Sequence, residues 1–310
     1  MPRRSKQWYI DNNKPLPETF ERKTYNWYVQ RGLTPPEGLK VPKVIKDTIG
    51  NLVSLPSAPR VEVNETEDQI QSRIKTRFDV FETLVDDVIN GDIRGLIVSG
   101  PPGMGKSFPV EAKLNDVEMS RIVKGHASAK GLYELLYQYK EEGAIVVMDD
   151  ADSIFGDERA LNLLKSALDT TEERVLSWVT SEEKLGEDSV PTSFVFEGSI
   201  IFITNLDFDG MIARGNRIAK HLEAIISRTH YIDLMMKSQR DCLVRIKQVV
   251  KESKMLHYLN AAERKEVIQF IEDHAPKLRE VSLRTALKIG SLRKSNGNWF
   301  DVAKITCCKN

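Results

Sequence analysis

Between residues 66 and 90 the apolar positions Ile70, Ile74, Phe78, Phe81, Val85 and Val88 recur at helical intervals and fall on one stripe. Thr66 and Gln69 stand at capping-box spacing, so a helix is predicted from about 67 to 90. After Asn90-Gly91 the pattern changes. Short apolar runs near 95–99, 121–125, 144–149, 199–204 and 229–234 alternate with amphipathic stretches, the signature of βαβ units around a parallel sheet. The fold class is therefore α/β, with five strands in one doubly wound sheet. From Lys237 onward such runs stop, and helix starts are marked by Ser238 with Asp241, Asn260 with Glu263, and Asn298 with Asp301. A small helical domain closes the chain. Before residue 60 neither period holds. Pro35, Pro36, Pro42, Pro56 and Pro59 forbid long helices there, leaving an extended arm with one short helix near 19–30. The chain thus divides into an arm (1–60), an α/β core (61–236) and a helical domain with its tail (237–310).

Composition narrows the class. At 310 residues the chain exceeds one average domain. Its 41% hydrophobic and 29% charged residues exclude a disordered or fibrous chain. Apolar runs such as Ala144–Met148 are far below the ~20 residues that span a bilayer. The N-terminus lacks the apolar stretch of a secretory signal, so the expected location is cytoplasmic, with no membrane partner. Three cysteines, Cys242, Cys307 and Cys308, make no disulfide framework or zinc motif. The net charge of zero conceals a segregation. Residues 1–60 carry 11 basic against 5 acidic side chains, residues 237–310 carry 16 against 8, and the middle is correspondingly acidic. Basic ends suit a polyanion or the acidic core of a neighbouring subunit.

The candidate chemistry lies at two strand ends. Gly100, Pro101, Pro102, Gly103, Met104, Gly105, Lys106 and Ser107 match G-x-x-x-x-G-K-[ST], with an apolar strand before and a helix from Phe108 to Met119 after. Glycines let the backbone N–H groups point inward at phosphate oxygens. The helix start at Lys106, Ser107 and Phe108 adds its dipole, Lys106 a charge over the β and γ phosphates, and Ser107 a ligand for Mg²⁺. Pro109 falls in the first turn, where its missing N–H has no intrahelical partner. The run Ala144–Met148 then ends in Asp149 and Asp150, which places two carboxylates at the carboxyl edge of the sheet. Asp149 is the candidate Mg²⁺ partner and Asp150 the candidate base that orients water.

These motifs resemble those of AAA+ ATPases. Asp149-Asp150-Ala151-Asp152-Ser153-Ile154-Phe155 is similar to the family's Walker B strand and following turn, although the family usually carries glutamate where Asp150 stands. Ser199–Asn205 resembles its sensor 1 strand, which implies that Asn205 positions the water. Ile225-Ile226-Ser227-Arg228 stands where the family places an arginine finger, implying a homo-oligomeric ring, such as a hexamer, in which Arg228 reaches a neighbour's site. Arg214 and Arg217 are weaker candidates. Val281–Leu287 looks like the sensor 2 helix and implies that Arg284 touches the γ-phosphate in a helical lid. A compact module with an added arm is also similar to phage-encoded AAA ATPases. The resemblance covers about residues 67–294 and implies ATP and Mg²⁺ as the bound pair.

The polymer acted upon is less defined. Residues 125–133 occupy the place of the first pore loop without an aromatic-apolar-glycine triplet, which tilts the reading toward nucleic acid. Aromatic residues among positive charges in the arm agree with that. The expectation is an ATPase acting on DNA or a DNA-bound protein. A protein remodeller recognising its partner through the arm, and a non-hydrolysing nucleotide switch, are the alternatives. The excursion at 180–198 is expected to form a substrate-facing loop.

Overall fold

The computed structural model describes residues 65–178, 184–185, 190–215, 217–236, 238–295 and 297–309. The arm and its expected short helix lie outside the described residues. Helix α1 (Glu67–Ile89) starts where the capping box was expected. Gln69 N donates to Thr66 Oγ1 at 3.3 Å and Thr66 N to Gln69 Oε1 at 2.8 Å. Its six stripe residues are all buried. Phe81 is fully enclosed, and truncating it to alanine removes about 3–5 kcal/mol of stability.

Five parallel strands follow: β1 (Gly95–Ser99), β2 (Ser120–Lys124), β3 (Ile145–Asp149), β4 (Ser199–Thr204) and β5 (His230–Asp233). Their spatial order is β2-β3-β4-β1-β5. The three central strands are buried at every position, since helices cover both faces. Leu96, Val98, Val147, Ile201 and Ile203 pack with α1 and with α2 (Ser107–Leu114) on one side. Ile97, Val146, Met148, Ile200 and Phe202 pack on the other with α3 (Ala129–Gln138), α4 (Glu158–Ala167) and α6 (Ala219–Ile226). Between β4 and α6 runs the short α5 (Phe208–Ala213). Helix α2 ends at Leu114, five residues before the sequence pattern suggested, because Asn115-Asp116 turns the chain and Val117 N closes on Leu114 O at 3.0 Å.

The described part of the excursion is rooted in an antiparallel hairpin, Val175–Ser177 against Ser193–Val195. The buried Arg174 ties both of its ends to the core, donating to Ala167 O at 2.7 Å and Gly198 O at 3.0 Å. Burial pushes that guanidinium down to about 10.

The helical domain comprises α7 (Gln239–Glu252), α8 (Ala261–His274), α9 (Leu283–Ser295) and α10 (Trp299–Cys307) around Ile246, Val267, Phe270, Ile289 and Ala303. Ser238 and Asn260 form reciprocal capping boxes. Asn298 makes no cap bond through its side chain, because its backbone (φ −99, ψ 32) is not extended as an N-cap requires. Arg73 of α1 braces the start of this domain, bonding Asp241 at 2.9 Å and Met235 O at 2.9 Å.

Candidate functional site

The strand order explains how distant segments meet. Ser99 lies in register with Thr204, and Asp149 with Ile203. With β4 between β1 and β3, the residue after β4 is flanked by the phosphate loop on one side and the acid pair on the other. That residue is Asn205.

Gly103 (φ +67) and Gly105 (φ +90) sit in the left-handed region that the loop requires. At Gly103 a Cβ would also stand 2.9 Å from Ser282 Cβ and 3.0 Å from Glu280 Oε1. The Glu280 oxygen is itself buried without a hydrogen-bond partner. Lys106 is 5% exposed, and its ammonium donates to Gly100 O (2.7 Å), Pro101 O (2.9 Å) and Asn205 Oδ1 (2.7 Å). Burial lowers it to about 8 against the pull of Asp150, Asp149 and Asp152. Asn205 Nδ2 in turn donates to Asp150 Oδ1 at 2.7 Å, so one amide bridges the loop lysine and the second acid. Asp150 has φ +55, a conformation aspartate tolerates better than most residues, and its N–H donates to Ile203 O at 2.9 Å. This backbone turn aims the short side chain at Asn205. Ser107 Oγ donates to Asp149 Oδ1 at 3.1 Å. Burial raises the Asp149 carboxyl, with the like charge of Asp150 adding to it and the Ser107 bond opposing.

These groups line a cleft of about 670 Å³ between core and helical domain. Of the residues expected from sequence, Gly103, Gly105, Lys106, Ser107, Phe108, Asp149, Asp150, Asn205 and Arg284 all face it. Gly100 and Pro101 contribute carbonyls to Lys106, Met104 turns into the core, and Pro102 is exposed. Arg284 opens α9 beside the loop, and the domain docks there directly, with Leu283 N donating to Gly103 O at 2.9 Å. Arg228 does not line this cleft. Its Nη1 donates to Ala224 O at 2.7 Å, folding the guanidinium back along α6, and its Nε is buried unpaired. Arg217 pairs with Glu158 at 3.7 Å, away from the cleft.

The outer half of the cleft was not foreseen. Arg245 of α7 lies over the Phe78 ring of α1, 3.5 Å from its centroid, with Nη1 donating to Gln248 Oε1 at 3.1 Å and Nε unpaired. Met255, Leu283 and Leu287 are apolar parts of that wall, and Lys75, Asp79, Glu82, Glu252 and Lys254 line it as well. Phe78 was visible only as one apolar position of a helix stripe, and nothing local marks Arg245 as its partner. Asp152, two residues after Asp150, also belongs to the network around Asn205. Thr204 Oγ1 donates to its Oδ1 at 2.5 Å, and burial raises the Asp152 carboxyl.

The chain is similar to known proteins in three ways. The profile of the AAA family, "ATPase family associated with various cellular activities", matches residues 96–232. A 36.7 kDa protein from the nrdC-mobD intergenic region of Enterobacteria phage T4 is 36% identical over 250 residues, 78% of this chain and 77% of its own. Among solved structures, the ADP complex of NtrX from Brucella abortus gives a TM-score of 0.41 at 14% identity, covering 72% of this chain and 52%, about half, of its own. RuvB, the Holliday junction branch migration motor of Thermotoga maritima, gives 0.41 at 13%, covering 77% and 69%. Among the described residues no helix is long and apolar enough to cross a membrane. With its five-stranded parallel sheet, phosphate loop and following helical domain, the chain belongs to the AAA+ family of P-loop ATPases.

Proposed function

We propose that this chain binds and hydrolyses Mg-ATP in the cleft between its two domains, as one subunit of a homo-oligomeric ring, and uses the cycle to remodel or translocate DNA or a DNA-bound protein. The observation that carries the hydrolytic part is the Asn205 amide held between Lys106 and Asp150. An incoming γ-phosphate draws the Lys106 ammonium away from Asn205 Oδ1. The amide oxygen is then free to accept one proton of a water whose other proton faces the Asp150 carboxylate. The loop N–H groups and the start of α2 hold the remaining phosphates.

The oxygen donors Ser107 and Asp149 fit Mg²⁺, a hard cation that takes few protein ligands and keeps phosphate and water oxygens. Bound there, it supplies charge neutralisation of the phosphates.

Arg284 is the proposed contact to the γ-phosphate of its own subunit. Arg228 is the proposed contact to a neighbour's, for which it must leave Ala224 O. The excess of basic side chains in residues 237–310 supports a polyanionic substrate.

Phosphate release should be measured for wild type and Lys106→Ala, each with and without single- and double-stranded DNA. The expected result is release by the wild type alone, stimulated by one DNA form. Release equal in both proteins would end the hydrolytic reading. Hydrolysis without any DNA retention at low salt would redirect the substrate to a protein.

A further inference from the structure

Asp152 does not line the cleft, yet its carboxylate is tied to the group that does. It opens a short 3₁₀ turn, Asp152–Gly156, directly after the acid pair. From there it reaches across to the end of β4. Its Oδ1 accepts from Thr204 Oγ1 at 2.5 Å. Thr204 is wholly buried, and its Oγ1 accepts from Leu206 N at 3.0 Å. Leu206 O accepts from Ser99 Oγ at 2.6 Å, on the strand that leads into the phosphate loop. The backbone on both sides of Asn205 is therefore braced between β1 and the turn after β3. The left-handed backbone at Asp150 lets two carboxylates two residues apart address the end of β4, Asp150 the Asn205 side chain and Asp152 the Thr204 hydroxyl just before it.

We propose that Asp152, acting through Thr204, is a positioning residue for ATP hydrolysis, holding the main chain at Asn205 so that its amide stays between Lys106 and Asp150. The inference rests on the hydrolytic reading of the same cleft. The physical reason is that an asparagine at a strand end has a broad χ2 and several local hydrogen-bonding alternatives. A displacement of about 1 Å at a water-orienting group costs up to ~100-fold in rate. Asp152 does not line the cleft, so binding should depend on it far less than turnover does.

The test uses the full chain with Thr204→Val, which removes the hydroxyl at nearly constant shape, Asp152→Asn, the double variant, and Thr204→Ser, which restores the hydroxyl. For each, kcat and KM for ATP are measured beside the Kd for a fluorescent ADP analogue and the thermal midpoint. The expected result is a fall in kcat of about 10–100-fold for Thr204→Val and Asp152→Asn, with KM and Kd within about threefold of wild type. Thr204→Ser should return kcat to within about threefold, and the double variant should be no slower than the slower single one, as for groups that act as a unit. Unchanged kcat in both single variants would overturn the proposal while leaving hydrolysis standing. So would a fall in kcat that only parallels lost affinity and a lower thermal midpoint, without rescue by serine. Wild-type chain that binds the ADP analogue but releases no phosphate would instead overturn the hydrolytic reading, and this role with it.

Discussion

The two halves of the cleft are built by different means. The inner half is assembled from strand ends and one loop on the sheet edge, and its polar groups are mutually bonded: Lys106 to Asn205, Asn205 to Asp150, Ser107 to Asp149. The outer half is assembled from helix faces belonging to different domains, with Phe78 under Arg245 and apolar Met255, Leu283 and Leu287 beside them. A sheet edge fixes positions to fractions of an ångström, which suits chemistry. A seam between domains tolerates movement, which suits admission and release. Damage to the inner half should therefore appear as lost rate or lost phosphate affinity, and damage to the outer half as weaker hold on the nucleoside alone.

The sharpest way to break this comparison is Asp150→Asn, which keeps the shape and removes the base. We expect kcat for ATP to fall about 10²–10³-fold with the Kd for nucleotide nearly unchanged, measured by phosphate release and fluorescence titration. Lys106→Ala removes a buried cation facing the phosphates, and its Kd for ATP should rise about 100-fold by the same titration. Protonation gives a third, smaller handle. Burial lowers Lys106 to about 8, and a bound triphosphate requires the charged form, so binding above that pH must take up a proton. Affinity is then fully present below pH 8 and declines above it, by about tenfold between pH 7 and pH 9. Calorimetry in buffers of different ionisation enthalpy detects the same proton uptake. The smallest effect is expected from Arg245→Ala: about a fivefold loss of ATP affinity, with displacement by inorganic tripolyphosphate and saturating kcat both unaltered. A fall in kcat for this variant comparable to that of Asp150→Asn would dissolve the distinction between the halves.

The same contrast decides what could be read from the chain. The phosphate loop, Asp149 and Asn205 were legible because each is a local event: a glycine pattern after an apolar run, or a polar residue closing one. The strand order β2-β3-β4-β1-β5, which makes Asn205 the bridge, involves no local signal, and neither does the bond between Thr204 and Asp152. Phe78 read as core, and that is half of its role, since its other side supports a guanidinium from α7. Caps were read correctly at Thr66, Ser238 and Asn260, where an extended backbone lets the side chain turn back. At Asn298 the spacing was present and the backbone conformation was not. Helix α2 ends five residues short of the expected Met119, because the chain turns at Asn115-Asp116.

The main-chain bond from Leu283 to Gly103 has a mechanical meaning. It ties the first turn of α9 to the glycine loop main chain to main chain, so a displacement of the four-helix unit would be felt at the loop without passing through any side chain.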